Sequence, residues 1–128
     1  MRKLTCLLLV TLAGCTTVTI RQDRPISRTE RIYVSLSESS INNIVSNAIA
    51  IELDKNNVLV KTEQEADLIL VTDAFFDLWN DNVAFRIENK DQLVWLSGTA
   101  SSGGWLNPSQ VGRDIGKKII QKIQENKK

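Results

Sequence analysis

Residues 67–100 hold three apolar runs separated by turn chemistry, a pattern that few architectures other than an antiparallel sheet can satisfy. The first run starts with Leu68-Ile69-Leu70-Val71, apolar on both faces, as an interior strand must be. After Thr72 it opens into alternation. Successive side chains of a strand point to opposite sides, so Asp73, Phe75, Asp77 and Trp79 fall on one face and Ala74, Phe76 and Leu78 on the other. Asn80-Asp81-Asn82 is turn chemistry, and Val83, Phe85 and Ile87 align in the next run. Asn89-Lys90-Asp91-Gln92 then turns the chain into Leu93–Ala100.

Helical periodicity flanks this meander. Ile41, Ile44, Val45, Ala48, Ile49 and Ile51 recur at helical spacing behind a serine cluster able to cap the first turn, which predicts an amphipathic helix ending near Asp54. Its β-branched residues lower its intrinsic propensity, so it depends on packing against a sheet. A second helix opens with Asn107 as N-cap and Pro108 at the first helical position, and repeats Val111, Ile115, Ile119 and Ile123 every four residues. Gly112 and Gly116 lie beside that stripe. Lys117, Lys118 and Lys122 argue against a membrane-type GxxxG dimer, so the glycines are read as letting the helix lie close to the sheet. With strands expected around Ile32, Val34 and Leu36 and at Val58–Val60, the order is β-α-β-β-β-β-α. This predicts an α+β fold: a single, mainly antiparallel sheet of four to five strands with two helices packed on one face.

The amino-terminal segment poses a separate question, what Cys15 is for. The apolar stretch between Lys3 and Cys15 is about a dozen residues long, whereas a helix crossing ~30 Å of hydrocarbon needs roughly 20. Its basic start (Arg2, Lys3), apolar middle (Leu4 to Leu12) and small residues (Ala13, Gly14) match an export signal. Leu12-Ala13-Gly14-Cys15 resembles the lipobox of bacterial lipoproteins. That resemblance implies cleavage after Gly14, with a diacylglycerol on the Cys15 thiol and an acyl chain such as palmitate on its new amino group. It also implies no other cofactor. Two or more chains anchor stably where one binds only reversibly. Thr16 follows the cysteine where the enterobacterial pattern places Asp for inner-membrane retention. By resemblance, the expected location is therefore the inner leaflet of the outer membrane, facing the periplasm. The order of elements, with Ala66-Asp67-Leu68-Ile69-Leu70 entering a central strand after a helix, is likewise similar to small envelope lipoproteins, including those of lipopolysaccharide assembly.

Three parts follow: residues 1–14 as a removed signal, 15–30 as lipidated cysteine and flexible tether, and 31–128 as one α+β periplasmic domain. Cys6 leaves with the signal, so no disulfide is expected and the fold rests on its core. Removing residues 1–14 from the 128 leaves 114, ample for one domain. Removing Arg2 and Lys3 from 16 Lys+Arg leaves 14 against 15 Asp+Glu, a net charge of −1 that points to no nucleic acid partner. Residues 16–29 lack sustained periodicity and contain Pro25. If extended at ~3.5 Å per residue they would hold the domain tens of ångströms from the bilayer. Arg21, Arg24, Arg28 and Arg31 are spread thinly among Asp23 and Glu30, which reads as a solvated linker more than a lipid-binding patch.

Catalytic chemistry is poorly supplied. The chain has no histidine and the mature segment no free thiol, which removes the commonest general base, metal ligand and nucleophile together. Asp73 and Asp77, four apart on a strand, stand at ~13 Å, too far to share a proton. "SGTASSGGW" lacks the ending of a phosphate-binding loop. An enzyme and a metal site are therefore not expected. The aromatics are the better lead: if the helices cover the opposite face, Phe75 and Trp79 beside Asp73 and Asp77 are partly exposed and, with Trp105 in a glycine-flanked loop, form the candidate interaction surface; the equal alternative is that a helix covers this face or that the tether folds back onto it. The expected function is that of a membrane-anchored accessory or docking factor for an envelope protein complex. The alternative is a carrier of an amphipathic lipid held between sheet and helices, with Gly112 and Gly116 lining the pocket.

Overall fold

The computed structural model describes residues 16–76, 81–102 and 107–125. Five strands form one sheet in the order β1-β5-β4-β3-β2. These are β1 (Thr17–Gln22), β2 (Ile32–Val34), β3 (Leu68–Phe76), β4 (Asp81–Asn89) and β5 (Val94–Ser101). Helix α1 (Ser40–Lys55) and helix α2 (Pro108–Glu125) complete the fold, with a short 3-10 turn at Glu63–Glu65. β1–β5, β5–β4 and β4–β3 are antiparallel, whereas β2–β3 is parallel, so the sheet is mixed. The parallel pair follows from connectivity. α1 joins β2 to β3 as a crossover, and a helical crossover returns the chain in the same direction.

Two sequence expectations need correcting. The segment read as a flexible tether is ordered into the sheet: Thr17 to Gln22 form an edge strand, and Ile26 is fully buried. Val18 and Ile20 supply its inward face, and β5 supplies the hydrogen-bond ladder that so short an alternation could not stabilise alone. Conversely, Val58–Val60 is not a full strand. It makes one parallel bridge, Leu59 to Ile32, held by Ile32 N–H to Val58 O (2.8 Å) and Val60 N–H to Ile32 O (2.9 Å), because β2 offers only three residues to pair with.

Both helices cover the sheet face that carries Leu68, Leu70, Val83, Phe85, Ile87, Leu96 and Ala100, all buried. α2 brings Val111, Ile115, Ile119 and Ile123 into this core, the four-residue repeat seen in its sequence. α1 brings Val45, Ala48, Ile49 and Leu53, while Ile41, Ile44 and Ile51, grouped with them by spacing, remain exposed. The glycines decide which stripe is inside. A Cβ on Gly112 would stand 2.5 Å from Val45 O and 2.6 Å from Ala48 Cβ, and one on Gly116 would stand 2.7 Å from Glu52 Cβ. Gly112 and Gly116 therefore let α2 lie against α1, not against the sheet as the sequence reading had it, because the isoleucine stripe already occupies the sheet side. Ser39 caps α1 by accepting Asn42 N–H (3.3 Å), and Asn107 caps α2 by accepting Gln110 N–H (3.2 Å).

A polar network fills the place where β2 stops. Leu70 is the last β3 residue paired with β2, and beyond it no strand among the described residues lies beside the outer edge of β3. Buried Asn42 supplies the acceptor instead: its Oδ1 takes the Ala74 N–H and the Thr72 hydroxyl, both at 3.0 Å. Thr72 Oγ1 also lies 2.6 Å from Ser46 Oγ, and Asn42 Nδ2 donates to Ser37 Oγ at 2.9 Å. Each member of this network thus has a partner, the condition for tolerating it in a core.

Candidate functional site

Because the helices lie on the side of Ala74 and Phe76, the face carrying Asp73 and Phe75 is covered by neither helix. Asp73 is exposed and Phe75 is 61% exposed, the most exposed large apolar side chain among the described residues. Tyr33, Ile69 and Val71 continue this face inward and are half-buried. Asp77, Trp79 and Trp105, the other members of the expected interaction surface, lie outside the described residues, as do Leu12, Ala13, Gly14 and Cys15.

Strand register collects several chain segments at one end of the sheet. Phe76 pairs with Asp81 and Val83 with Ala100, while Ser101 pairs with Thr17. Asp81 is buried and pins this end: its carboxylate accepts the Ser102 N–H at 2.9 Å and also the Ser102 hydroxyl. The anchored ends of connections 77–80 and 103–106 are thereby fixed beside each other, and the chain enters β1 at the same place. Asn82, Ser101 and Thr17 are exposed around this rim.

The opposite end is built differently. At Ile87/Glu88 the ladder shifts, with Ile87 opposite Leu96 and Glu88 opposite Val94, so Trp95 is the extra residue of a bulge. Its carbonyl accepts the N–H groups of Asp23 (2.8 Å) and Arg24 (3.0 Å), and the Arg24 guanidinium carbon lies 5.8 Å from the ring centroid. Beside Asp67, the residue before β3, the Glu30 carboxyl is pushed above its usual range, chiefly by burial and secondly by the Asp67 carboxylate.

A second exposed apolar area was missed as such in the sequence. Ile41, Ile44 and Ile51 share one outward stripe of α1, with 37%, 42% and 56% of their surface exposed, and Leu36 precedes the helix at 55%. The signal was present as a helix with more apolar positions than one buried stripe can use. No group of His, Cys, Asp or Glu is placed to hold a metal ion among the described residues. Gly112 and Gly116 are buried against α1, so neither lines a space between the helices and the sheet.

These features define a class: a two-layer α+β domain with two helices on one face of a mixed five-stranded sheet and neither on the other. No family model matches the chain, and no curated protein matches it. Among solved structures, the chain is similar to a dodecameric PelC variant from Paraburkholderia phytofirmans, at 16% identity and a TM-score of 0.64, covering 86% of this chain and 98% of that one. It is also similar to TolB from Acinetobacter baumannii (8% identity, TM-score 0.58) and to a PDZ domain protein from Parabacteroides distasonis (10%, 0.56). Those matches cover 87% and 91% of this chain but only 32% and 38% of the other chains. At such identities the likeness is one of fold.

Proposed function

We propose that this protein is a non-catalytic envelope lipoprotein, anchored through acyl chains on Cys15 in the inner leaflet of the outer membrane, which docks a protein partner in the periplasm. The observation that carries the reading is Leu12-Ala13-Gly14-Cys15 standing immediately before a folded domain whose first strand starts at Thr17. Acylation fixes the location, and confinement near the membrane raises the effective concentration of anything it binds. The face around Asp73 and Phe75 that neither helix covers and the outward stripe Ile41, Ile44, Ile51 are the surfaces available for a partner, apolar areas of the kind that mark contacts. The fold-similar PelC variant is a dodecamer, which makes a second copy of this chain the first partner to look for.

Metabolic labelling with an alkyne-bearing fatty acid, comparing wild type with Cys15→Ser, tests the anchor. Label present in wild type, absent from the variant and recovered in the outer-membrane fraction is the expected result; unlabelled, freely soluble wild type refutes it. A photo-crosslinking residue at Ile51 or Thr99 tests the docking role. A discrete adduct with an envelope protein or with this chain is expected, and no adduct from either position counts against docking.

A further inference from the structure

Resting on that reading of Cys15, we infer that the domain is seated directly on the bilayer with a fixed polarity. The rim formed by Thr17, Asn82, Ser101 and Phe75 meets the lipid headgroups, and the end carrying the β4–β5 turn points away. Thr17 is held in the β1–β5 ladder opposite Ser101, so only Thr16 separates the acylated residue from a hydrogen-bonded strand. Two residues span at most about 7 Å. The tens of ångströms of slack that a flexible tether would give are absent, and the domain cannot tumble freely about its anchor.

Charge is sorted along the same axis. In the last described strand pairs at this end the single ionisable side chain is Asp81, which is buried and accepts the Ser102 N–H and hydroxyl, and the nearest exposed carboxylate, Asp73, lies two residues inward from Phe75. The neighbouring exposed positions are Thr17, Asn82 and Ser101, together with the 61% exposed ring of Phe75. The far end holds Arg21, Asp23, Arg24, Glu88, Lys90 and Asp91, on the last β1 and β4 residues and the turns beyond them. Ionised groups are disfavoured where water is scarce, whereas hydroxyls, amides and an aromatic ring suit the headgroup boundary. Covalent attachment and surface chemistry thus select the same end. The complementary surface is a lipid headgroup layer, and the assignment takes Phe75 out of the set of protein contacts and leaves the α1 stripe to serve a partner.

The test uses the full lipidated protein in vesicles of phosphatidylethanolamine and phosphatidylglycerol containing headgroup-linked quencher. Under this reading the mature protein has no free thiol, so Ser101→Cys, Asn82→Cys and Asp91→Cys each place one fluorophore. β4 spans nine residues, so the Asp91 probe stands about 27 Å beyond the rim. Quenching at Ser101→Cys and Asn82→Cys is expected to exceed that at Asp91→Cys several-fold. Equal quenching at both ends, or the reverse order, in protein that is acylated by mass and floats with the vesicles overturns the seating while sparing the anchor. Protein that carries no acyl chain and does not float overturns both.

Discussion

The α1–α2 crossing allows a quantitative test of how the helical layer is held. Gly112→Ala adds one methyl carbon at 2.5 Å from Val45 O and 2.6 Å from Ala48 Cβ, and the first obstruction is backbone that cannot rotate away. Ordinary contact begins near 3.4 Å, so the helices must part by about 0.9 Å at that point. A gap of 0.5–1 Å forfeits a quarter to a half of each contact well of ~0.1–0.2 kcal/mol, and roughly forty atom pairs at the crossing would lose about 2 kcal/mol. Helix propensity acts in the other direction, since Ala is favoured over Gly by about 1 kcal/mol. The net expectation is a destabilisation of about 1 kcal/mol, at the low end for overpacked cores, or a fall of roughly 4–8 °C in Tm for a domain of this size. Urea unfolding followed by tryptophan fluorescence reads it, with Asn47→Ala on the exposed side of α1 as a control expected to be neutral or slightly stabilising. If Gly112→Ala instead gains stability, propensity alone is acting and the helices are not in contact there.

Asp81→Ala removes the acceptor of the Ser102 N–H and hydroxyl and should lower unfolding free energy by about 2–3 kcal/mol in the same urea assay, with a change under about 0.5 kcal/mol refuting the pinning role. Asn42→Ala strips the Ala74 N–H of its acceptor; a loss of about 1–3 kcal/mol is expected, with hydrogen exchange at Ala74 accelerating more than at Leu70. For Glu30 the folded state binds its proton more tightly than the unfolded chain, whose ordinary value is 4.5. Its contribution to stability is therefore full below 4.5 and is lost as pH rises through the higher folded value. Glu30→Gln should accordingly be more stable than wild type near neutrality, with the difference shrinking as unfolding is repeated toward about pH 4; a constant difference would contradict the assignment.

The meander was legible because β3, β4 and β5 each turn an apolar face to the core: Val83, Phe85 and Ile87 alternate with Asn82, Ala84 and Arg86 as a half-buried strand requires. α2 was equally plain, since Val111, Ile115, Ile119 and Ile123 form one stripe with Ile120 beside it. β1 was harder to see. An edge strand draws stability from its neighbour's ladder, and its two inward residues, Val18 and Ile20, are too few to outweigh the arginines and Pro25 that follow. The core face of α1 was ambiguous because apolar residues occupy two stripes, and the choice between them is made by Gly112 and Gly116, far along the chain. Asn42, Ser46 and Glu52 are buried although their types favour the surface, and only the missing β2 pairing and the helix crossing account for them. Of the expected contact surface, the alternation placed Asp73 and Phe75 correctly on one face. Which face the helices leave open depends on tertiary packing and is not written in a period of two.

The position of β1 also sets the order in which the sheet can be built. Thr17 pairs with Ser101, at the far end of the meander in sequence, while β3, β4 and β5 close through neighbouring hairpins. Local pairings form first because they close short loops; the β1–β5 ladder must wait for nearly the whole chain. A polypeptide threaded through a membrane amino terminus first would therefore keep its leading strand unpaired until β5 had followed it across. The slowest-forming contact is also the one that ties the amino terminus to the domain, so completion of the sheet and fixation of its orientation would coincide in a single late event.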